Sequence, residues 1–130
     1  MVTNSSVVLD TNIAVGLLNN NSVIKDKTSI YNLFYLPFIV CGELLYGAAN
    51  SSKSKANMLR FKEFISSCLL LHSNDLIVEQ YVVIRKQLKE KGRPIPENDL
   101  WIAATCIVNE LALLTLDKHF KFVKGLELIK

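Results

Sequence analysis

The sequence has few cysteines and none of the spacings that build metal–thiolate or redox sites. The three present are odd in number, widely separated, and form no C-x-x-C pair: Cys41, Cys68 and Cys106. We expect them to be reduced thiols in the core of a cytoplasmic protein, because disulfides belong mainly to oxidising compartments. Neither a metal-binding nor a redox role is predicted for them.

A strong excess of one charge is also lacking. Fifteen basic and 12 acidic residues give a formal net charge of +3 at pH 7. This mildly basic balance is compatible with a nucleic-acid partner but is too weak to predict one. Charged residues make up 21% of the chain and hydrophobic residues 50%, a composition that favours a globular fold with a real core over a disordered chain.

No apolar run is long enough to span a membrane. The longest, Leu33 to Ala49, contains Pro37 and Glu43 and is shorter than the roughly 20 residues that a membrane helix needs. A secretory signal is not expected either, because no basic region opens the chain and Asp10 interrupts its first apolar run. We therefore expect a soluble cytoplasmic protein with no membrane partner.

Short apolar segments instead alternate with segments of helical periodicity. The predicted strands are "SVVL", "FYL", "LLLH", "LALLTL" and "LELIK". The predicted helices cover about 12–18, 22–34, 38–49, 58–68, 77–88 and 99–110, with Ser22 and Asn98 as candidate N-caps. This order predicts an α/β fold with a mostly parallel sheet, in one domain over residues 1–130.

Four acidic residues occupy positions that are unusual for acids. Asp10 and Asp117 each follow a predicted strand, where open parallel sheets bind ligands. Glu43 interrupts an apolar helix, where a charge is costly unless it is paired or coordinated, and Asp99 opens another apolar helix. Like charges that cluster repel one another, and a hard cation is the usual remedy.

Each acid also has a simpler interpretation. Asp10 and Asp117 could form turns, and Asp99 could favour the start of its helix through the helix dipole. Taken together, these interpretations require separate coincidences in a chain with only 12 acids. We therefore predict one shared site.

The segments "VVLDTN", "IVCGELLYGAA", "PIPENDLWIAAT" and "LLTLDKHF…VKGLEL" together resemble the PIN domain, specifically the VapC-type toxins of bacterial type II toxin–antitoxin pairs. The resemblance implies a three-layer α/β sandwich and a magnesium- or manganese-dependent ribonuclease, usually dimeric and neutralised by an antitoxin. It assigns the metal-binding quartet to Asp10, Glu43, Asp99 and Asp117, with Asn12 and Thr115 as polar neighbours. The run "TLD" departs slightly from the usual pattern and leaves Asp117 in place.

Oxygen ligands suit Mg²⁺ or Mn²⁺, whereas zinc would be expected to recruit histidine or cysteine. The sequence does not decide between one ion and two. His119, close to Asp117, could carry a proton, although a turn residue is the simpler interpretation. Tyr46 and Trp101 could stack on RNA bases, but we favour packing in the core or at a dimer interface.

Two other functions compete with this one. A phosphotransferase of the haloacid dehalogenase type also places an aspartate after its first strand, but it needs a second acid two residues later, where Asn12 stands. A non-catalytic PIN-like module that binds RNA or protein is the remaining alternative. Four retained acids argue against that module, because a site without catalysis would be free to lose them.

Overall fold

The computed structural model describes residues 5–129, in which strands alternate with helices. The strands are β1 Ser6–Leu9, β2 Leu33–Pro37, β3 Leu69–Leu71 and β4 Leu113–Leu114. The helices are α1 Thr11–Leu18, α2 Ser22–Thr28, α3 Phe38–Ala49, α4 Ser54–Ser66, α5 Asp75–Glu90 and α6 Glu97–Val108, followed by a 3₁₀ helix at Lys118–Phe122. The predicted α/β class is confirmed. No helix within this range has the length and apolar character needed to cross a membrane.

The four strands form one parallel sheet in the order β3-β2-β1-β4. The chain therefore extends the sheet on one side of β1 with β2 and β3, and on its other side with β4. Such a reversal opens a crevice at the carboxyl ends of the strands on either side of it. The residues that follow β1 and β4 are thereby brought next to each other.

Helices cover both faces of this sheet. Val7, Val8 and Leu9 in β1 are all fully buried. Because successive side chains of a strand point to opposite faces, both faces must be shielded from water. Helix α5 packs against α6, and α3 packs against both α1 and α4. The helices and strand ends that carry the four predicted acids are thus packed on one layered core.

Helices α1 and α2 approach each other closely at a glycine. A Cβ on Gly16 would lie 2.1 Å from Cδ1 of Ile24 and 3.2 Å from its Cγ1. Ile24 is itself buried. A Cβ at this position would force the Ile24 side chain to shift, so Gly16 allows the two helices to pack this closely.

Two predicted helix boundaries are wrong. Helix α2 ends at Thr28, well before the predicted end near Phe34, because the next strand already begins at Leu33. Its N-cap is Asn21, whose side chain accepts a hydrogen bond from the backbone N–H of Ile24 at 3.1 Å, and Ser22 is the first helical residue. Asparagine is an effective N-cap for the same reason that serine is.

Helix α6 and the last predicted strand also differ from expectation. The helix begins at Glu97 after Pro96, so Asn98 lies within its first turn and does not cap it. Proline has no N–H to satisfy and its fixed φ suits a helix start. The strand "LELIK" is reduced to one parallel bridge between Leu113 and Leu128; Lys130 lies outside the described residues.

Candidate metal centre

Asp10 is the most buried of the acids at the carboxyl ends of β1 and β4. It follows β1, caps α1, and is 4% exposed. Its Oδ1 accepts a hydrogen bond from the backbone N–H of Thr11 at 2.8 Å. Its Oδ2 accepts one from the hydroxyl of Thr115 at 2.5 Å and a longer one from the Asn12 amide at 3.4 Å. The carboxylate is therefore held in one orientation at the end of a rigid strand.

Glu43 reaches the same place from α3. The hydroxyl of Thr11 donates a hydrogen bond to its Oε1 at 2.6 Å. Thr11 therefore contacts two acids, Asp10 through its backbone and Glu43 through its side chain. This links the start of α1 to the middle of α3 and fixes the Glu43 carboxylate against its neighbour.

Hydrogen bonds join the segment after β4 to the segment after β1. The hydroxyl of Thr115, which donates to Asp10, also accepts a hydrogen bond from the backbone N–H of Asp117 at 2.9 Å. The amide oxygen of Asn12 accepts one from the backbone N–H of Leu116 at 3.2 Å. The two polar residues predicted to flank the site thus position Asp117 relative to Asp10.

Asp99 and Asp117 meet at the imidazole of His119. The Nδ1 atom of His119 lies 3.0 Å from Oδ1 of Asp117 and 3.8 Å from Oδ2 of Asp99. One potential ligand atom from each of the three side chains lies within 4.8 Å of the others. A group of this composition is compact enough to share one cation.

We call Asp10, Glu43, Asp99 and Asp117 the acidic cluster, and its members repel one another. Burial, as the largest cause, and the charges of the other three acids together raise the pKa of Asp99 to about 6. His119 acts in the opposite direction. Burial also raises the pKa of Asp10, together with the charges of Glu43 and Asp117, against the effect of its hydrogen bonds.

The donor set fits a hard divalent cation. All four acids offer carboxylate oxygens, which are the preferred ligands of Mg²⁺ and Mn²⁺. In the described range, His119 is the only cationic partner within salt-bridge distance of the cluster, and it is charged only when protonated. A bound cation would offset the repulsion that raises the pKa of Asp99.

Hydrogen bonds and mutual charge effects connect the six residues selected from the sequence, and the most compact group of potential ligands is Asp99, Asp117 and His119. One further contributor, Thr11, was missed, and another, His119, was considered as a proton carrier but not selected. The sequence did not indicate a functional role for Thr11, because threonine is common at the start of a helix. His119 was interpreted as a turn residue; its backbone does lie in the 3₁₀ helix, but its side chain joins the cluster.

Two other candidates have structural roles. The ring of Trp101 stacks on Tyr81 with centroids 3.9 Å apart and planes inclined by 8°, so it packs within the protein as favoured. The three cysteines are free, and burial raises the pKa of each thiol, that of Cys106 to about 12. Reactive cysteines usually have a lowered pKa, so the raised pKa of these thiols agrees with the predicted place in the core.

Known proteins resemble the chain over nearly its whole length. Ribonuclease VapC2 of Rickettsia felis is 32% identical over 127 residues, which is 92% of each chain. Ribonuclease VapC1 of Haemophilus influenzae (strain R2866) is 30% identical over 125 residues, 92% of this chain and 93% of the relative. Both proteins are named for ribonuclease activity.

Solved structures agree with these relatives. The crystal structure of VapBC2 from Rickettsia felis, bound to a DNA fragment from its promoter, contains a chain that matches with a TM-score of 0.87. The match has 28% identity and covers 95% of this chain and 97% of that one. The family model of the PIN domain matches residues 7–126. The predicted resemblance is confirmed: the chain belongs to the PIN domain family.

Proposed function

We propose that the chain is a metal-dependent ribonuclease and the toxin of a toxin–antitoxin pair. The observation that carries this proposal is the convergence of four carboxylates from four separate elements at the carboxyl edge of the sheet. Relatives that are named ribonuclease VapC, about 30% identical over nearly the whole chain, support the same activity.

The acidic cluster would hold Mg²⁺ or Mn²⁺. A divalent cation in such a site activates water for attack on a phosphodiester and neutralises negative charge on the phosphate. The oxygen-rich donor set suits either ion. His119 would remain beside Asp117, where its Nδ1 can donate to a carboxylate oxygen or leave that oxygen free for the metal.

The remaining polar residues would keep the cluster in a productive geometry. The Thr11 hydroxyl holds Glu43, and the Thr115 hydroxyl holds both Asp10 and the backbone of Asp117. Carboxylates that are fixed before substrate arrives need no reorganisation during the reaction. The backbone N–H of Thr11 and the Asn12 amide serve the same purpose at Asp10.

Cleavage of RNA by the purified protein tests the activity. The protein is incubated with single-stranded RNA in Mg²⁺ or Mn²⁺, with and without EDTA. We expect cleavage that EDTA abolishes. Equal cleavage in both conditions would contradict a metal-dependent mechanism. Binding of metal and RNA without cleavage would favour the non-catalytic module.

We also infer two protein partners, a cognate antitoxin and a second copy of the chain. Antitoxin binding is supported by the similar crystal structure of VapBC-5 from Mycobacterium tuberculosis, a member of the VapBC family of toxin–antitoxin systems. Self-association is supported by exposed apolar side chains on α5, where Leu76, Val82 and Val83 are 62%, 57% and 59% exposed. Side chains of this kind favour association when they form a contiguous patch.

Light scattering and inhibition assays test these partners. A stable monomer at micromolar concentration would contradict the homodimer. An antitoxin that is encoded beside this chain should abolish RNA cleavage when it is added in equal amount. An antitoxin that binds but leaves cleavage unchanged would contradict the toxin–antitoxin assignment at this site.

A further inference from the structure

A cavity adjoins the acidic cluster between α3 and the first turn of α6. It has a volume of about 370 Å³ and is lined by Phe38, Ile39, Gly42, Glu43, Tyr46 and Asn98. Glu43 belongs to the acidic cluster, so the cavity opens directly at the proposed metal site. Its size lies within the range of roughly 300–1,000 Å³ that is usual for small-molecule pockets.

The lining of this cavity suits a flat, uncharged ring with polar edges. Tyr46 is 71% exposed, so the packing in the core that was one of its two predicted roles is wrong. Trp101, in contrast, is already stacked on Tyr81. Gly42 adds no side chain, and a Cβ there would meet no atom within 4 Å. The amide of Asn98 is exposed and offers both donors and acceptors, as the edge of a nucleobase requires.

Charge near the cluster favours RNA over a protein as the occupant. A second cavity, of about 410 Å³, is lined in part by Asp117, Lys118 and Lys121. Both lysines are exposed. Proteins bind single-stranded nucleic acid by combining exposed aromatic rings with cations that contact the backbone, and the two cavities, each lined by one acid of the cluster, offer both. An apolar protein segment would have no use for these lysines.

We propose that the cavity lined by Tyr46 holds an unstacked nucleobase of the RNA strand whose phosphate lies at the acidic cluster. Tyr46 stacks on this base, Asn98 contacts its edge, and Lys118 with Lys121 contacts a neighbouring phosphate. The inference rests on the proposed ribonuclease function and extends it, because it makes Tyr46 and Gly42 determinants of RNA binding.

Binding of short single-stranded RNA, measured by fluorescence anisotropy in Ca²⁺, tests the inference apart from cleavage. The probes are an oligoadenylate and a fully abasic oligomer of the same length. The variants are Tyr46→Ala, Tyr46→Phe and Gly42→Leu, which fills the cavity. Leu59→Ala is the matched control, since Leu59 is an equally exposed apolar residue (73%) on α4.

Wild type is expected to bind the abasic oligomer about tenfold more weakly than oligoadenylate, in line with the stacking of one base. Tyr46→Ala and Gly42→Leu should bind oligoadenylate about tenfold more weakly and show no further loss on the abasic oligomer. Tyr46→Phe and Leu59→Ala should match wild type. The rise in melting temperature caused by Mn²⁺ should be equal in all of these variants.

Three results separate the inference from the proposed function. If Tyr46→Ala binds and cleaves RNA as well as wild type does, the inference is overturned and the proposed ribonuclease function stands. Binding that depends on Tyr46, without cleavage of any RNA, would support the inference and overturn the ribonuclease. Unchanged RNA binding with lost self-association or antitoxin binding would assign the cavity to a protein partner and overturn the inference.

Discussion

At the scale of the residue, short hydroxyl side chains determine how the acids are presented. Thr11 and Thr115 each connect one acid to a second segment of the chain. Neither residue carries charge, but both orient a carboxylate, and their hydrogen bonds also lower the pKa of Asp10. An acid that lost such a hydrogen bond would keep its charge but would adopt several orientations, only some of which suit a metal ion.

Thr11→Val tests this role, because valine has nearly the same shape and lacks the hydroxyl. We expect metal affinity and RNA cleavage to fall by about tenfold, which corresponds to the loss of one hydrogen bond to a charged group of roughly 1.5 kcal/mol. The free energy of unfolding in urea should fall by about 1–2 kcal/mol, because the same hydrogen bond is lost in the folded protein without metal.

Thr11→Ser is the control, since it keeps the hydroxyl and should retain cleavage and metal affinity. Measurements of Mn²⁺ affinity and of kcat and KM for RNA distinguish the two variants. Loss of stability in Thr11→Val with unchanged Mn²⁺ affinity would make the threonine a structural residue only.

Asp99 provides a pH-dependent test in the absence of metal. Its pKa is raised from the usual 3.8 to about 6 in the folded protein, so the folded state binds a proton more tightly than the unfolded chain does. The free energy of unfolding should therefore decrease as pH rises from about 4 to about 6, and the loss should persist at higher pH.

Asp99→Asn should remove the part of this dependence that Asp99 causes, and the raised pKa of Asp10 should leave a smaller remainder. Above about pH 6 the variant without metal should be more stable than wild type by on the order of 1 kcal/mol, after allowance for solvent screening. Below about pH 4 the difference should vanish. Urea unfolding in EDTA across this range measures it. If Asp99 were only an anion at a helix start, the variant would instead be less stable by roughly 0.3–1 kcal/mol.

The sequence revealed the acids and two of the residues that orient them, Asn12 and Thr115, but not Thr11 or the contact that His119 makes with the cluster. Glu43 and Asp99 could be selected because a charge within an apolar helix has an energetic cost that needs an explanation. Thr11 and His119 occur in contexts where either residue is ordinary, and their contacts depend on segments distant in the chain: 32 residues separate Thr11 from Glu43. Only the fold brings such pairs together.

At the scale of the element, periodicity predicted the helices better than their ends. The predicted bounds of α3 agree with Phe38–Ala49, because Pro37 marks its start unambiguously. The end of α2 was predicted too late in the chain. The apolar residues near Phe34 belong to β2, and they continue the helical pattern by coincidence. The last strand pairs through one residue only, which no local sequence pattern reveals.

Two glycines in helices allow a matched test of helix packing. Gly42→Ala in α3 should stabilise the protein by about 0.5–1 kcal/mol, because alanine favours helix and its Cβ meets no atom within 4 Å. Gly16→Ala in α1 should destabilise it by about 1–2 kcal/mol, because the added Cβ overlaps Ile24.

Urea or thermal unfolding of both variants measures whether the two changes in stability have opposite signs. Ile24→Val in the Gly16→Ala background should recover part of the loss, because it removes the Cδ1 atom nearest the new Cβ. If Gly16→Ala instead stabilised the protein, α1 and α2 would be able to move apart without a loss of folding free energy.

At the scale of the whole molecule, the order of the strands creates the site. The reversal at β1 brings the ends of β1 and β4 together, and α3 and α6 bring Glu43 and Asp99 to the same edge. The fold class and family predicted from the sequence are confirmed. The single-domain boundaries, the metal ligands and the homodimer stay predictions, because no contact within one chain tests them.

The central claim is that four carboxylates from separate elements form one cation site. Mn²⁺ binding, followed by electron paramagnetic resonance and by the rise in melting temperature, tests it in Asp10→Asn, Glu43→Gln, Asp99→Asn and Asp117→Asn. Glu97→Gln is the control, because Glu97 lies in the same helix as Asp99 but pairs with Arg85 at the surface. We predict that each cluster variant loses Mn²⁺ affinity and that Glu97→Gln binds as wild type does. Cluster variants that bind Mn²⁺ as tightly as wild type would contradict the account.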